Sequence, residues 1–223
     1  MAPAGDLHAS WPSVDADPMV RAVARCRPTG PAVVLGSTQR TVEPADTAGV
    51  PVTRRRSGGG AVLVGTDDPV WVDLWVPAGD PLWVADVTRA FAWLGRAWAD
   101  TLVALGLSGV EVQGDGPGAC TRWSTLVCFG GVGAGEVTVD GRKAVGLAQR
   151  RDRRGAWFHS ACVVHWDPSL LLGALVPDAD ERAAATEGLT GAVTGVADAA
   201  RAQGSARVPG PDEIASTFLH QLT

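Results

Sequence analysis

Asp140-Gly141 is the dipeptide that most restricts how this chain can fold. Both central positions of a two-residue β-hairpin need a positive φ, and Asp-Gly supplies it at little cost. The runs on either side, 136–139 and 143–149, are apolar enough to be strands. The pair therefore predicts an antiparallel hairpin whose second strand begins at Lys143, beside the turn. That residue stands out for another reason: of 19 basic residues it is the single lysine. A lysine head is a compact ammonium with three donors, whereas arginine presents a broad planar fork. Where arginine fills every other cationic position, this one lysine points to chemistry at Lys143.

The same alternation of short apolar runs and turn residues extends along the chain. It predicts strands at 32–36, 52–56, 61–64, 70–76, 110–113, 124–129 and 156–166. Val84, Val87, Phe91, Leu94, Trp98, Leu102 and Leu105 recur at helical spacing, so 82–107 reads as the longest helix, with Pro81 just ahead of it. A short helix is expected at 18–26, a polar connection at 39–48 and a flexible loop at 114–118. Alanine-rich helices follow Pro168, ending in an amphipathic helix over 212–222. Residues 1–17, rich in Ala, Pro, Asp and Ser, read as a loose arm. Residues 18–223 then form one α+β domain, a mixed, mostly antiparallel sheet packed with helices.

Composition narrows the function. The net charge of −5 argues against a general nucleic-acid binder. No apolar run reaches the length of a membrane span, and no secretory signal opens the chain. Cys26, Cys120, Cys128 and Cys162 lack zinc-site spacing, so no metal site is expected. Free thiols in a cytoplasmic protein are the default. The cations are nevertheless gathered into two segments, around 54–56 and 142–154. Such clustering in an acidic protein suits either a small anion where they meet or two solvated loop tips.

Ser57-Gly58-Gly59-Gly60, after Arg54, Arg55 and Arg56, reads as a backbone cradle whose N–H groups converge on an anion. It is neither a Walker loop nor a dinucleotide fingerprint, because an extended apolar segment follows it. A glycine-rich hairpin is the plainer reading. His159 and His165, at even spacing, share a face if one strand carries both. Asp73 is a further candidate to face the site.

Two segments together carry a resemblance: Arg54-Arg55-Arg56-Ser57-Gly58-Gly59-Gly60-Ala61-Val62, and Asp140-Gly141-Arg142-Lys143-Ala144-Val145-Gly146-Leu147-Ala148-Gln149-Arg150. In this order and separation, with Val34-Leu35-Gly36-Ser37-Thr38-Gln39 ahead of them, they resemble the lipoate–protein ligase A-like family. That family shares the biotin/lipoate protein ligase catalytic fold and is related to octanoyl transferases. The resemblance spans roughly residues 30–175 and looks more like the lipoate than the biotin branch.

The resemblance implies an acyl chain in a tunnel beneath the glycine loop. It also implies ATP with Mg2+, and lipoate or octanoate as the substrate that becomes an acyl-adenylate. The acyl group then passes to a lysine on a lipoyl acceptor domain, of the 2-oxoacid dehydrogenase E2 or glycine cleavage H protein type. Lys143 matches the lysine that contacts the acyl carbonyl. Arg54, Arg55 and Arg56 would bind phosphate. Ser57, Gly58, Gly59, Gly60, Ala61, Gly146 and Ala148 would line the acyl-adenylate. The family's glycines continue into a His-Asp pair, whereas this chain has Leu63-Val64-Gly65-Thr66-Asp67, and Leu147 stands where a small polar residue is usual.

Those departures favour a second route, in which a cysteine takes the acyl group as a thioester without ATP. Cys128-Phe129 lies upstream of Lys143 at the spacing of that branch's cysteine-phenylalanine pair. A thiol beside an ammonium becomes a better nucleophile. Packing alone also accounts for Cys128, and Cys120 is a weaker candidate for the same role. Three readings stay open: an ATP-dependent ligase, which is the simplest and leads; a Cys128-dependent transferase, second; and a non-catalytic binder of an acyl-adenylate or biotin-like ligand. Residues 150–154 suit phosphate, an acidic acceptor or a solvated turn.

Overall fold

The computed structural model describes residues 1–9, 17–44, 49–116 and 118–222. Its strands are β1 (Ala22–Cys26), β2 (Ala32–Leu35), β3 (Val52–Arg54), β4 (Val62–Val64), β5 (Val70–Pro77), β6 (Val110–Val112), β7 (Val137–Val139), β8 (Arg142–Arg151) and β9 (Gly155–Cys162). Its helices are α1 (Ala4–Ala9), α2 (Ala92–Ala104), α3 (Ser169–Leu175), α4 (Ala179–Ala192), α5 (Val196–Ala202) and α6 (Pro211–Gln221). Six strands form an antiparallel sheet in the order β1-β5-β9-β8-β7-β6, and three form a small mixed sheet, β3-β2-β4. The α+β class and the mostly antiparallel pairing expected from sequence are what the chain adopts.

The Asp140-Gly141 turn has φ of 50° and 74°, both positive as the hairpin requires. It joins β7 to β8, and a register shift near the turn pairs Thr138 with Lys143 but Val137 with Val145. The skipped residue, Ala144, makes a bulge of the kind that re-aims side chains. Lys143, Ala144 and Val145 are consequently all buried. β5 is covered on both faces, which explains its apolar run, interrupted only by the buried Asp73.

Helix α2 packs on the large sheet through Leu94, Trp98 and Leu102, each 0% exposed. Burial of each such side chain contributes roughly 1.5–3 kcal/mol. Trp98 stacks on Phe218 of α6 at 3.8 Å between ring centroids. A second core, with Val33, Leu35, Trp123, Leu172 and Leu189, joins the small sheet to α3 and α4.

Several elements differ from expectation. The helix read over 82–107 is shorter: 82–88 is turn and coil, and a 3-10 turn at Arg89–Phe91 leads into α2. Asp86 holds that entry by accepting from the N–H groups of Thr88 and Arg89. Residues 22–26, read as part of a short helix, pair with β5 as a strand. The strands at 52–56 and 61–64 do not pair with each other across the glycines. Both flank β2 instead, β3 in parallel and β4 antiparallel. The segment 124–129 is turn followed by a 3-10 turn, Cys128–Gly130. Ser124 Oγ and Thr121 Oγ1 each donate to the carbonyl of Gly130, offering the backbone an alternative to a ladder.

The expected loose arm also differs. Residues 4–9 form α1, in which Ala4 and His8 are buried; residues 10–16 lie outside the described part, as do 45–48 of the polar connection and residue 117 of the glycine-rich loop. No helix of the described residues is long and apolar enough to cross a membrane.

Candidate active site

Lys143 is 1% exposed. Its ammonium donates to the carbonyl oxygens of Cys128 at 2.9 Å and Gly131 at 2.8 Å, and pairs with Glu136 Oε2 at 2.6 Å. All three donors of the head are thus engaged. The Phe129 ring lies 5.1 Å from Nζ. Glu136, also buried, accepts from the N–H of Gly133 through Oε2 and of Leu147 through Oε1. Sequence reasoning missed Glu136. The hairpin carried the signal, since an acid at the start of the first strand faces the second. Removing one partner of such a buried pair costs about 3–5 kcal/mol, because a bare charge is left inside.

The glycine segment is organised from within. Arg55, 5% exposed, donates to the carbonyls of Gly58, Gly60 and Val34. The loop therefore turns carbonyls inward onto a guanidinium, rather than converging N–H groups on an anion as the sequence suggested. Arg54 likewise donates to the carbonyls of Gly36 and Gln39. These two arginines order the backbone around the glycine segment. Ser57 is buried, and its Oγ has no hydrogen-bond partner among the described residues. Gly59 has φ of +93°, and a Cβ at Gly60 would lie 2.6 Å from the carbonyl carbon of Val127. That close approach lets the Ala61 N–H donate to the Leu126 carbonyl while the Ala61 carbonyl accepts from the Cys128 N–H, both at 2.8 Å.

A small cleft opens where the two sheets meet. Val62 and Val64 from β4, Trp71, Phe129 and Leu147 give it apolar walls. Gly146 and Ala148 of β8 line it too, and a Cβ at Gly146 would crowd Phe129 at 3.2 Å. Val64 and Leu147, the two departures from the family pattern, both face this space. Cys128 lines it, half-buried, with Arg55 Nη2 at 4.0 Å from its sulfur. An arginine thus approaches the thiol, while Lys143 holds the carbonyl of the same residue. The other cysteines are placed differently. Burial pushes the Cys26 and Cys162 thiols far above their ordinary range. Cys120 is exposed and bridges Gly131.

Asp73 lies behind the cleft wall, where it accepts from Trp71 Nε1 and meets His159 Nδ1 at 2.8 Å. His159 lines the cleft. His165 lies past the end of β9 and is paired with Asp198 at 3.1 Å, so the two histidines do not share a strand face. Both have the carboxylate partners that the sequence did not reveal.

A second cleft is lined by Arg56, Arg150, Arg151, Arg154, Asp152 and Trp157. Arg55 and Arg56, adjacent in the chain, face different clefts, and β8 contributes Gly146 to Ala148 to one and Arg150 and Arg151 to the other. The apolar and the cationic cleft are thereby linked along one strand. Arginine forks of this kind match phosphate oxygens. Among the described residues no group of three or more His, Cys, Asp or Glu side chains is arranged to hold a metal ion.

The family model of the lipoyl protein ligase A/B catalytic domain matches residues 17–222. The chain is similar to the octanoyltransferase LipM of Moorella thermoacetica, at 32% identity over 139 residues, covering 60% of this chain and 50% of that protein. It spans about half the length of this curated relative. Among solved structures it resembles a bipartite lipoate protein ligase studied with its E2 lipoyl domain from Thermoplasma acidophilum. The TM-score there is 0.71 at 20% identity, covering 100% of this chain and 80% of that one. Lipoate-protein ligase A bound with ATP gives 0.64 at 20% identity, covering 91% and 71%. At such identities the structural likeness establishes a shared fold.

Proposed function

This chain belongs to the lipoyl protein ligase A/B catalytic domain family, and from that premise we propose that it transfers an octanoyl or lipoyl group to a lysine of a lipoyl acceptor domain, with Cys128 as the nucleophile. The observation that carries this reading is the half-buried Cys128 thiol on the wall of an apolar cleft, next to a guanidinium. Similarity to an octanoyltransferase supports it.

The cleft walls hold the acyl chain away from water. The Cys128 sulfur, after giving up its proton, attacks the carbonyl carbon of a carrier-bound thioester. The bond to the carrier sulfur breaks, and the carrier leaves as a thiol with that proton. The amine of the acceptor lysine then attacks the acyl-enzyme, the bond to Cys128 breaks, and an amide remains while the amine proton returns to the thiol. Lys143 fixes the turn that presents Cys128. Its rotatable ammonium can exchange a backbone carbonyl for the acyl oxygen as negative charge develops there.

A second reading, the ATP-dependent ligase, is favoured by the cationic cleft adjoining the acyl cleft. ATP would supply activation of a free carboxylate as an adenylate. Arg56, Arg150 and Arg151 would hold phosphate oxygens there, and Mg2+ would arrive on the phosphates.

The intact mass of an acceptor domain separates the two. Under the leading reading, acceptor gains an octanoyl group from an octanoyl-carrier thioester without ATP. Gain only from octanoate with ATP and Mg2+ would replace it with the ligase reading.

A further inference from the structure

Most polar groups at the acyl cleft are already committed to protein partners. Arg55 is bonded to three carbonyls of the chain, Lys143 is saturated, and Ser160 Oγ donates to the carbonyl of Val72. His8 is different. It reaches the cleft from α1 with its side chain 7% exposed, and neither ring nitrogen has a hydrogen-bond partner among the described residues. Its ring stacks on Trp71 at 4.4 Å and stands edge-on to His159 at 5.6 Å between centroids.

Burial, with the charges of His159 and Arg55 opposed by Asp73, lowers the His8 pKa to about 3. The imidazole is therefore neutral at ordinary pH and carries one N–H donor and one acceptor. A buried polar group without a partner costs free energy that an apolar ring of the same shape does not. A phenyl ring would stack on Trp71 equally well and avoid that cost. The imidazole thus has a donor to offer whatever enters the cleft. A saturated acyl group carries one acceptor, its carbonyl oxygen. His8 and Cys128 line the same cleft, so a carbonyl held there for reaction with the thiol is the acceptor that space offers to the ring.

We propose that His8 is a carbonyl-binding residue of this cleft: its ring N–H donates to the acyl carbonyl oxygen, making the N-terminal helix part of the substrate site. The proposal rests on the reading that the cleft takes an acyl group. It adds a neutral donor where negative charge develops during transfer.

Two unreactive probes test it. One is the ketone analogue of octanoyl-pantetheine, with CH2 in place of the thioester sulfur. The other is the same molecule with its carbonyl reduced to CH2. Wild-type protein is expected to bind the ketone about tenfold more tightly, a difference near 1.4 kcal/mol. His8→Phe should bind both alike, at the level of the wild type with the carbonyl-free probe, and His8→Gln should restore part of the preference. In 15N-histidine-labelled wild type, the ketone should shift the His8 ring resonances and the carbonyl-free probe should not, a readout independent of whether a variant folds. A preference for the ketone that survives in His8→Phe, equal binding of both probes by wild type, or unmoved ring resonances would each overturn the proposal while leaving the acyl cleft in place. Wild type that binds neither probe would overturn the acyl reading itself.

Discussion

At the scale of single residues, the proposed chemistry divides labour between Cys128 and Lys143. Cys128→Ser retains the size of the side chain but not its nucleophilicity, so ATP-independent transfer should fall by at least about 100-fold with the fold intact. Initial rates against thioester concentration check this. Lys143 and Glu136 form one buried unit. Lys143→Met and Glu136→Gln should each destabilise the protein by about 3–5 kcal/mol, and the double variant should recover part of that loss. Denaturant unfolding of the four proteins measures the coupling, and simple additivity would show that the pair is not coupled. His8 makes a pH prediction. Its folded pKa, about 3, lies below the ordinary 6.5. Between those values the unfolded chain binds a proton that the folded chain does not, so stability falls as pH drops through this window. Above it the His8 contribution is constant. His8→Phe should therefore show a shallower loss of stability over that range than wild type, measured by unfolding at a series of pH values.

At the scale of elements, how much the sequence reveals depends on whether local chemistry decides the outcome. Asp140-Gly141 allowed only one kind of turn, and it formed. The apolar run of β5 and the final amphipathic helix were likewise legible, because period and length agreed. Cys128 was legible as a candidate, but its element was not. Apolar residues suggested a strand, while Ser124 and Thr121 bind the Gly130 carbonyl and curl the chain into a turn. The roles of Arg54 and Arg55 were also hidden. Three adjacent arginines look alike in sequence, and only the packing of the glycine loop onto Arg55 separates them. The N-terminal helix was missed because its anchors, Trp71 and Thr53, are distant in the chain, and short polar segments carry little periodicity of their own. The contact between glycine loop and cysteine turn makes its own prediction. Gly60→Ala would push a methyl group onto the backbone of Val127 and Cys128, at 2.6 and 2.7 Å. Displacing the nucleophile by such an amount should lower turnover by about 100-fold. Activity near that of wild type would show that the position of this turn does not limit the reaction.

At the scale of the whole molecule, the proposed site lies in the seam between the two sheets. The large sheet supplies β8 and β9, the small sheet supplies β4, and the 3-10 turn carries Cys128 across the gap. The apolar cleft, which the thiol lines, and the cationic cleft follow one another along β8, an arrangement that suits an acyl group with a charged carrier or nucleotide attached. The central claim is that the acyl group rests on Cys128 during transfer. The most direct test is the intact mass of the protein after incubation with an octanoyl-carrier thioester, without ATP and without acceptor. Wild type should gain one octanoyl group, released by hydroxylamine and absent from Cys128→Ser. An unmodified protein that still octanoylates the acceptor, or an adduct that persists in Cys128→Ser, would contradict it.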